Sequence, residues 1–128
     1  MEPKNRVWNI FVVDDGSSIV RAVCRALKRH FSASVTVSAF TDPVMALAKI
    51  DASVDILITD HDMPNIKGPE LIAGARKKRP EIRAILMSGD ETSLRQFRHF
   101  GNMPDVVTME KPYEDEHLID LVTSLMHT

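Results

Sequence analysis

The stretch ILITDHDMP, residues 56–64, runs four apolar or β-branched positions directly into Asp60. Asp14 and Asp15 follow an equally apolar run, Ser88 another, and Lys111 a third. Brought together, these side chains offer three carboxylates, a hydroxyl and an ammonium ion. Carboxylates this close repel one another and raise at least one pKa unless a cation lies among them. Magnesium answers that demand best, because it binds through a few carboxylates, keeps several waters and bridges to phosphate. Zinc fits poorly, since no His or Cys stands at ligand spacing beside the acids, and His61, next to Asp60, belongs to a stretch where neighbours point apart. A lysine and a hydroxyl facing a metal-bound carboxylate make a receptacle for a phosphoryl group. Asp60, central in the set, is the natural nucleophile, and its product is an aspartyl phosphate.

Residues so far apart in sequence need a frame that gathers them. Runs rich in Val and Ile occur at 7–13, 35–40, 54–59, 82–87 and 106–109, and three of them (7–13, 54–59, 82–87) are apolar at nearly every position. Strands apolar on both faces belong inside a covered parallel sheet. Between the runs lie five amphipathic segments. SSIVRAVCRALKRHF places Ile19, Val20, Val23, Cys24 and Leu27 on one face and Arg21, Arg25, Lys28 and Arg29 outside it. A second helix opens at Thr41-Asp42-Pro43, an N-cap with proline at the first helical position. The third starts near Gly68 or Pro69 and ends at Arg76-Lys77-Lys78-Arg79 before Pro80; the fourth covers 91–100 and the fifth 114–127. Strict alternation of strand and helix predicts an α/β, doubly wound parallel sheet with right-handed crossovers and helices on both faces. Ligands of such sheets bind outside the carboxyl ends of the strands. Asp14, Asp15, Asp60, Ser88 and Lys111 all stand at such ends.

Bulk properties exclude several classes. A chain of 128 residues suits one compact domain, expected over 1–128. With 44% hydrophobic and 27% charged residues it reads as globular, and a net charge of −2 gives no overall pull toward nucleic acid or an anionic membrane. No apolar run has the length of a membrane span and the N-terminus lacks an export layout, so a cytoplasmic protein is expected. The lone Cys24 lies in an apolar-periodic stretch and reads as a buried thiol.

Four motifs in fixed order, VVDD at 12–15, ILITDHDMPNIKGPEL at 56–71, ILMSG at 85–89 and EKPY at 110–113, resemble the receiver domain of two-component response regulators over nearly all of residues 7–127. The resemblance implies a flavodoxin-like, CheY-like sheet of five strands in order 2-1-3-4-5. It implies Asp60 as phosphoacceptor and a magnesium ion held by Asp15 directly, by Asp14 partly through water, by Asp60, and by the backbone carbonyl of Asp62. Ser88 and Lys111 would contact the phosphoryl oxygens, with a cis bond between Lys111 and Pro112. Such a domain takes its phosphoryl group from a histidine kinase or a histidine phosphotransfer protein, docking beside the first helix and the loops near Asp60, and alters binding to an output target. It is a signalling module that is its own substrate, assisting its own phosphorylation and dephosphorylation, and is expected as a monomer or weak dimer. Two departures stand out. Thr108 occupies a position where the family usually has an aromatic that swings inward, and Asp62 and Asp90, at positions that tune phosphoryl lifetime, are both acidic. Arg95, Arg98 and His99 lie on what is the output face in that family.

Blander roles compete for each residue. Asp14 and Asp15 could serve a helix N-terminus, Ser88 a turn, and Lys111 the solvent; their joint register argues otherwise. The cations of 76–79 read as a solvated last turn suited to the helix dipole, with no DNA contact. Leu94, Phe97 and Phe100 read as core spacing. A small haloacid dehalogenase-type phosphatase with Asp60 as nucleophile is the runner-up, because Asp60-His61-Asp62 resembles that family's paired aspartates; Pro64 stands where that family has Thr or Val, and 128 residues leave little room for its cap. Flavin binding on a similar fold is disfavoured, since Asp14 and Asp15 would face an anion.

Overall fold

The computed structural model describes residues 6–127. The ends of the expected domain, 1–5 and 128, lie outside the described residues. Five parallel strands, β1 (Trp8–Val13), β2 (Val35–Phe40), β3 (Ile56–Asp60), β4 (Arg83–Ser88) and β5 (Val107–Glu110), form one sheet in the order β2-β1-β3-β4-β5. Helices α1 (Ser17–Phe31), α2 (Pro43–Lys49), α3 (Gly68–Lys78), α4 (Glu91–Phe100) and α5 (Asp115–Met126) alternate with them, and a short 3-10 turn, Ser32–Ser34, joins α1 to β2. No helix among the described residues is long and apolar enough to cross a membrane.

Alternation along the strands sorts the core into two layers, because successive side chains leave opposite faces of a sheet. Ile10, Val12, Ile56, Ile58, Ile85 and Met87 meet α1 and α5 on one face. Phe11, Val13, Leu57, Ala84 and Leu86 meet α2, α3 and α4 on the other. All five residues of β3 are buried, as expected for the middle strand of a sheet covered on both sides. Asp42 caps α2 by accepting from the Val44 N–H at 2.9 Å, with Pro43 at the first helical position.

Two expectations are corrected. Phe100 is 83% exposed, whereas Leu94 and Phe97 are buried. Six residues of helix rotate position 100 about 120° away from position 94, so a repeated three-residue step walks off the core stripe. Three of the four cations of 76–79 are clamps more than a solvated turn: Arg76 grips Asp105 at 2.8 and 3.1 Å, Lys78 donates to the Leu47 carbonyl, and Arg79 donates to Ala52 O at 2.6 Å, while Lys77 is exposed as expected.

Candidate functional site

Backbone bonds continue past the strands and draw their tips together. The N–H of Asp14 donates to Phe40 O at 3.1 Å, that of His61 to Met87 O at 2.7 Å, and that of Lys111 to Ser88 O at 2.8 Å. Each bond ties a strand-end residue to a neighbouring strand, so β1, β3, β4 and β5 deliver their last polar residues to one edge. Asp14, Asp60 and Ser88 are buried there, at 1%, 7% and 1% exposure, while Asp15 is exposed.

Lys111 organises the cluster. Its Nζ donates to Asp14 Oδ2 at 2.8 Å and to Asp60 Oδ1 at 3.0 Å, bridging residues 97 and 51 positions away. The other Asp14 oxygen accepts from the Gly16 N–H at 2.9 Å, at the start of α1. Carboxylate oxygens of Asp14, Asp15 and Asp60 lie within 4.8 Å of one another. Two of the three acids share one ammonium ion, and an all-oxygen donor set of that size suits a hard divalent cation. Burial lifts the Asp60 carboxyl above its usual range, and the neighbouring Asp14 adds to the rise, against the opposing pull of Lys111. Desolvation thus leads and like-charge repulsion follows, the reverse of the emphasis that a count of acids suggests. Burial works to lower the Lys111 pKa, but its hydrogen bonds to Asp14 and Asp60 outweigh that and leave it raised, so the ammonium form is secured.

The loop after β3 is fixed by a close approach. A Cβ added at Gly68 would lie 2.3 Å from the Asp60 carbonyl oxygen and 2.6 Å from Leu86, and the Gly68 N–H donates to His61 O at 2.9 Å. Only glycine lets α3 begin against the backbone of Asp60 itself. At the turn of this loop Asn65 adopts φ 72°, a conformation that asparagine tolerates better than most residues. The Lys111–Pro112 bond is cis.

The remaining singled-out residues are drawn elsewhere. Asp62 is exposed, with His61 Nδ1 3.0 Å and Lys67 Nζ 3.6 Å from its Oδ1. Asp90 caps α4: one carboxylate oxygen accepts from Thr92 N–H and the other from the Ser93 hydroxyl, each at 2.9 Å, and those bonds lower its pKa. Its own N–H donates to Ser88 Oγ at 3.0 Å, which links the cap to the hydroxyl of the cluster. Thr108 accepts from Arg98 of α4 at 2.9 Å. The capping role was legible, since Asp before Glu91 is a favoured N-cap; the Arg98 and Lys67 contacts carry no local sequence signal.

The family model of the response regulator receiver domain matches residues 10–123. The hydrogenase transcriptional regulatory protein HoxA of Cupriavidus necator is 30% identical over 113 residues, which are 88% of this chain and 23% of HoxA, so the chain spans under a quarter of that relative. The BeF3-activated receiver domain of DrrB, a Thermotoga maritima protein, superimposes with a TM-score of 0.78 at 26% identity, covering 95% of this chain and 99% of that one. A response regulator receiver protein from Sinorhizobium medicae shares the fold, with a TM-score of 0.82 at 22% identity over 95% of this chain and 96% of that one. The match from Ile10 to Thr123 takes in β2 to β5, all of β1 but its first two residues, and every member of the acidic cluster, and the chain belongs to the response regulator receiver domain family.

Proposed function

We propose that Asp60 accepts a phosphoryl group from a phosphohistidine on a histidine kinase or a histidine phosphotransfer protein, and that residues 1–128 act as one receiver unit. A carboxylate oxygen of Asp60 attacks phosphorus as the bond from the imidazole nitrogen breaks, with the electron pair leaving on that nitrogen. The observation that carries this reading is the single ammonium of Lys111 placed between Asp14 and Asp60. From there it can follow the incoming phosphoryl oxygens while the Ser88 hydroxyl donates to them. Asp14, Asp15, Asp60 and the Asp62 carbonyl would hold magnesium, which when bound neutralises charge on the transferring group.

Asp62 and Asp90 would tune how long the acyl phosphate lasts by different routes. Asp62, held by His61 and Lys67, stands in solvent beside the acceptor. Asp90 acts through the turn it caps, because both of its oxygens are engaged. Following phosphate loss in Asp62→Ala and Asp90→Ala checks this, and unchanged decay in both variants rejects it. Thr108, bonded to Arg98, would carry the altered site toward α4 for an output partner.

Intact mass after treatment with acetyl phosphate and magnesium tests the central claim. One added phosphoryl mass in the parent and none in Asp60→Ala is expected; labelling of both, or of neither, overturns it. The phosphatase alternative is not favoured by the family match. Rapid turnover of p-nitrophenyl phosphate would revive it.

A further inference from the structure

The two edges of the sheet differ. β5 is four residues long and ends on Glu110. β2, at the opposite edge, is six residues long, and its sequence VTVSAF holds neither the charge nor the proline that usually blunts an open strand. Among the described residues, no strand pairs with its outer side. Its register with β1 sets which main-chain groups are free. Phe40 O turns toward β1, where the strand-end bond from the Asp14 N–H reaches it at 3.1 Å. Main-chain groups alternate sides along a strand, so those of Thr36 and Ser38 also turn toward β1, and those of Val37 and Ala39 face outward.

A groove of about 750 Å³ runs beside this edge, between β2 and α1. Val37, Ala39 and Cys24 give it an uncharged lining, and Arg21, Arg25, Lys28 and Arg29 give it a cationic one with no acid among them. Among the described residues none of these four cations forms an ion pair, whereas Arg76, Arg79 and Arg95 each meet an acid. Ser18, Ile19 and Ala22 of α1 line a separate groove with Lys111, so the cationic groove is distinct from the approach to Asp60.

We propose that this edge docks an extended acidic segment of a partner protein, which adds to the sheet as a sixth strand while its carboxylates meet the cations of α1. Strand addition draws affinity from main-chain hydrogen bonds and selectivity from alternate side chains. Alternate residues of a strand share a face and lie about 6.6 Å apart. Arg21, Arg25 and Lys28 succeed one another at about 6 and 4.5 Å along the axis of α1. Acids at every second position of the added strand therefore keep step with the row of cations. The row also selects the occupant. A second copy would bring another row of cations to the same edge, and like charge opposes it. Nucleic acid would find the cations but no aromatic lining on which bases stack, and would leave the outward N–H and C=O groups of β2 unmatched. A strand bearing acids answers both the charge and the main chain. This inference does not depend on phosphoryl transfer at Asp60.

Amide hydrogen exchange of the 128-residue chain, with and without a synthetic peptide of alternating Glu and Thr at low salt, tests it. With the peptide, exchange at Val37 and Ala39 slows about tenfold or more, while Thr36 and Ser38, already turned toward β1, change little. Fluorescence anisotropy of the labelled peptide gives a dissociation constant that rises about tenfold or more in high salt and in Arg21→Glu/Arg25→Glu/Lys28→Glu. Two further peptides probe the parent without any substitution. One with Lys in place of Glu does not bind, and one N-methylated at every second residue loses the binding of its parent peptide. No binding of the Glu peptide, equal binding of the Lys or the N-methylated peptide, or protection that falls elsewhere than Val37 and Ala39 overturns the proposal. So does a single-stranded oligonucleotide that binds more tightly than the Glu peptide and is lost in the same triple variant.

Discussion

Asp55 and Asp60 bracket β3, and their surroundings are opposite. At the amino edge of the sheet Asp55 accepts from the Asn9 N–H at 2.8 Å, from Arg6 at 3.3 Å and from Arg79 at 3.4 Å. One carboxylate there meets two guanidinium ions. At the carboxyl edge Asp60 shares a single ammonium with Asp14, and Asp15 lies close by. The first end has its charges matched, since Arg79 also meets Glu81 at 3.6 Å, and it holds the fold together. The second has acid in excess, an imbalance that a divalent cation would offset. One five-residue strand thus separates a finished network from an unfinished one.

Substitutions at the two ends should separate these roles. The largest effect is expected for Lys111→Met, which leaves two buried carboxylates without their cation and costs about 3 kcal/mol in urea unfolding without metal. Millimolar magnesium should return part of that loss, and chelation should remove it again. Asp55→Ala is expected to cost about 2 kcal/mol, since Asn9 N–H and two guanidinium groups lose an acceptor. No magnesium dependence should accompany that loss; if one does, the contrast between the ends fails. Asp60→Asn should be stabilising by about 1 kcal/mol, because it removes an under-neutralised carboxylate.

A pH series sharpens the same point. The Asp60 carboxyl is held above its ordinary value of 3.8, so the folded chain keeps a proton that the unfolded chain has already released. Stability from this site is complete below the ordinary value and declines as pH rises through the raised one. The parent should lose that contribution across this window and Asp60→Asn should not, which the difference between their urea midpoints measures. The smallest effect is expected for Arg98→Ala, whose exposed bond to Thr108 contributes about 0.5 kcal/mol at most. A larger change would mean that α4 leans on β5 more than this single contact provides.

Much of the carboxyl edge was legible in the sequence, and little of the amino edge was. Strands apolar on both faces and their polar last residues predict the order of elements and the meeting of Asp14, Asp15, Asp60 and Lys111, with strand boundaries drifting by one or two residues. The Asp55 network has no such signature, because its donors come from Asn9, Arg6 and Arg79 through long-range packing. Phe100 misled because a three-residue step mimics a helical stripe only for one interval. Gly68 could be matched to a loop but not to its cause, which is a backbone approach that only coordinates reveal.

Lys111 reaches acids that were synthesised 51 and 97 residues before it. A ribosome must therefore pass all five strands before the cluster has its cation. A nascent chain halted ahead of that residue holds both acids and lacks the ammonium that bridges them.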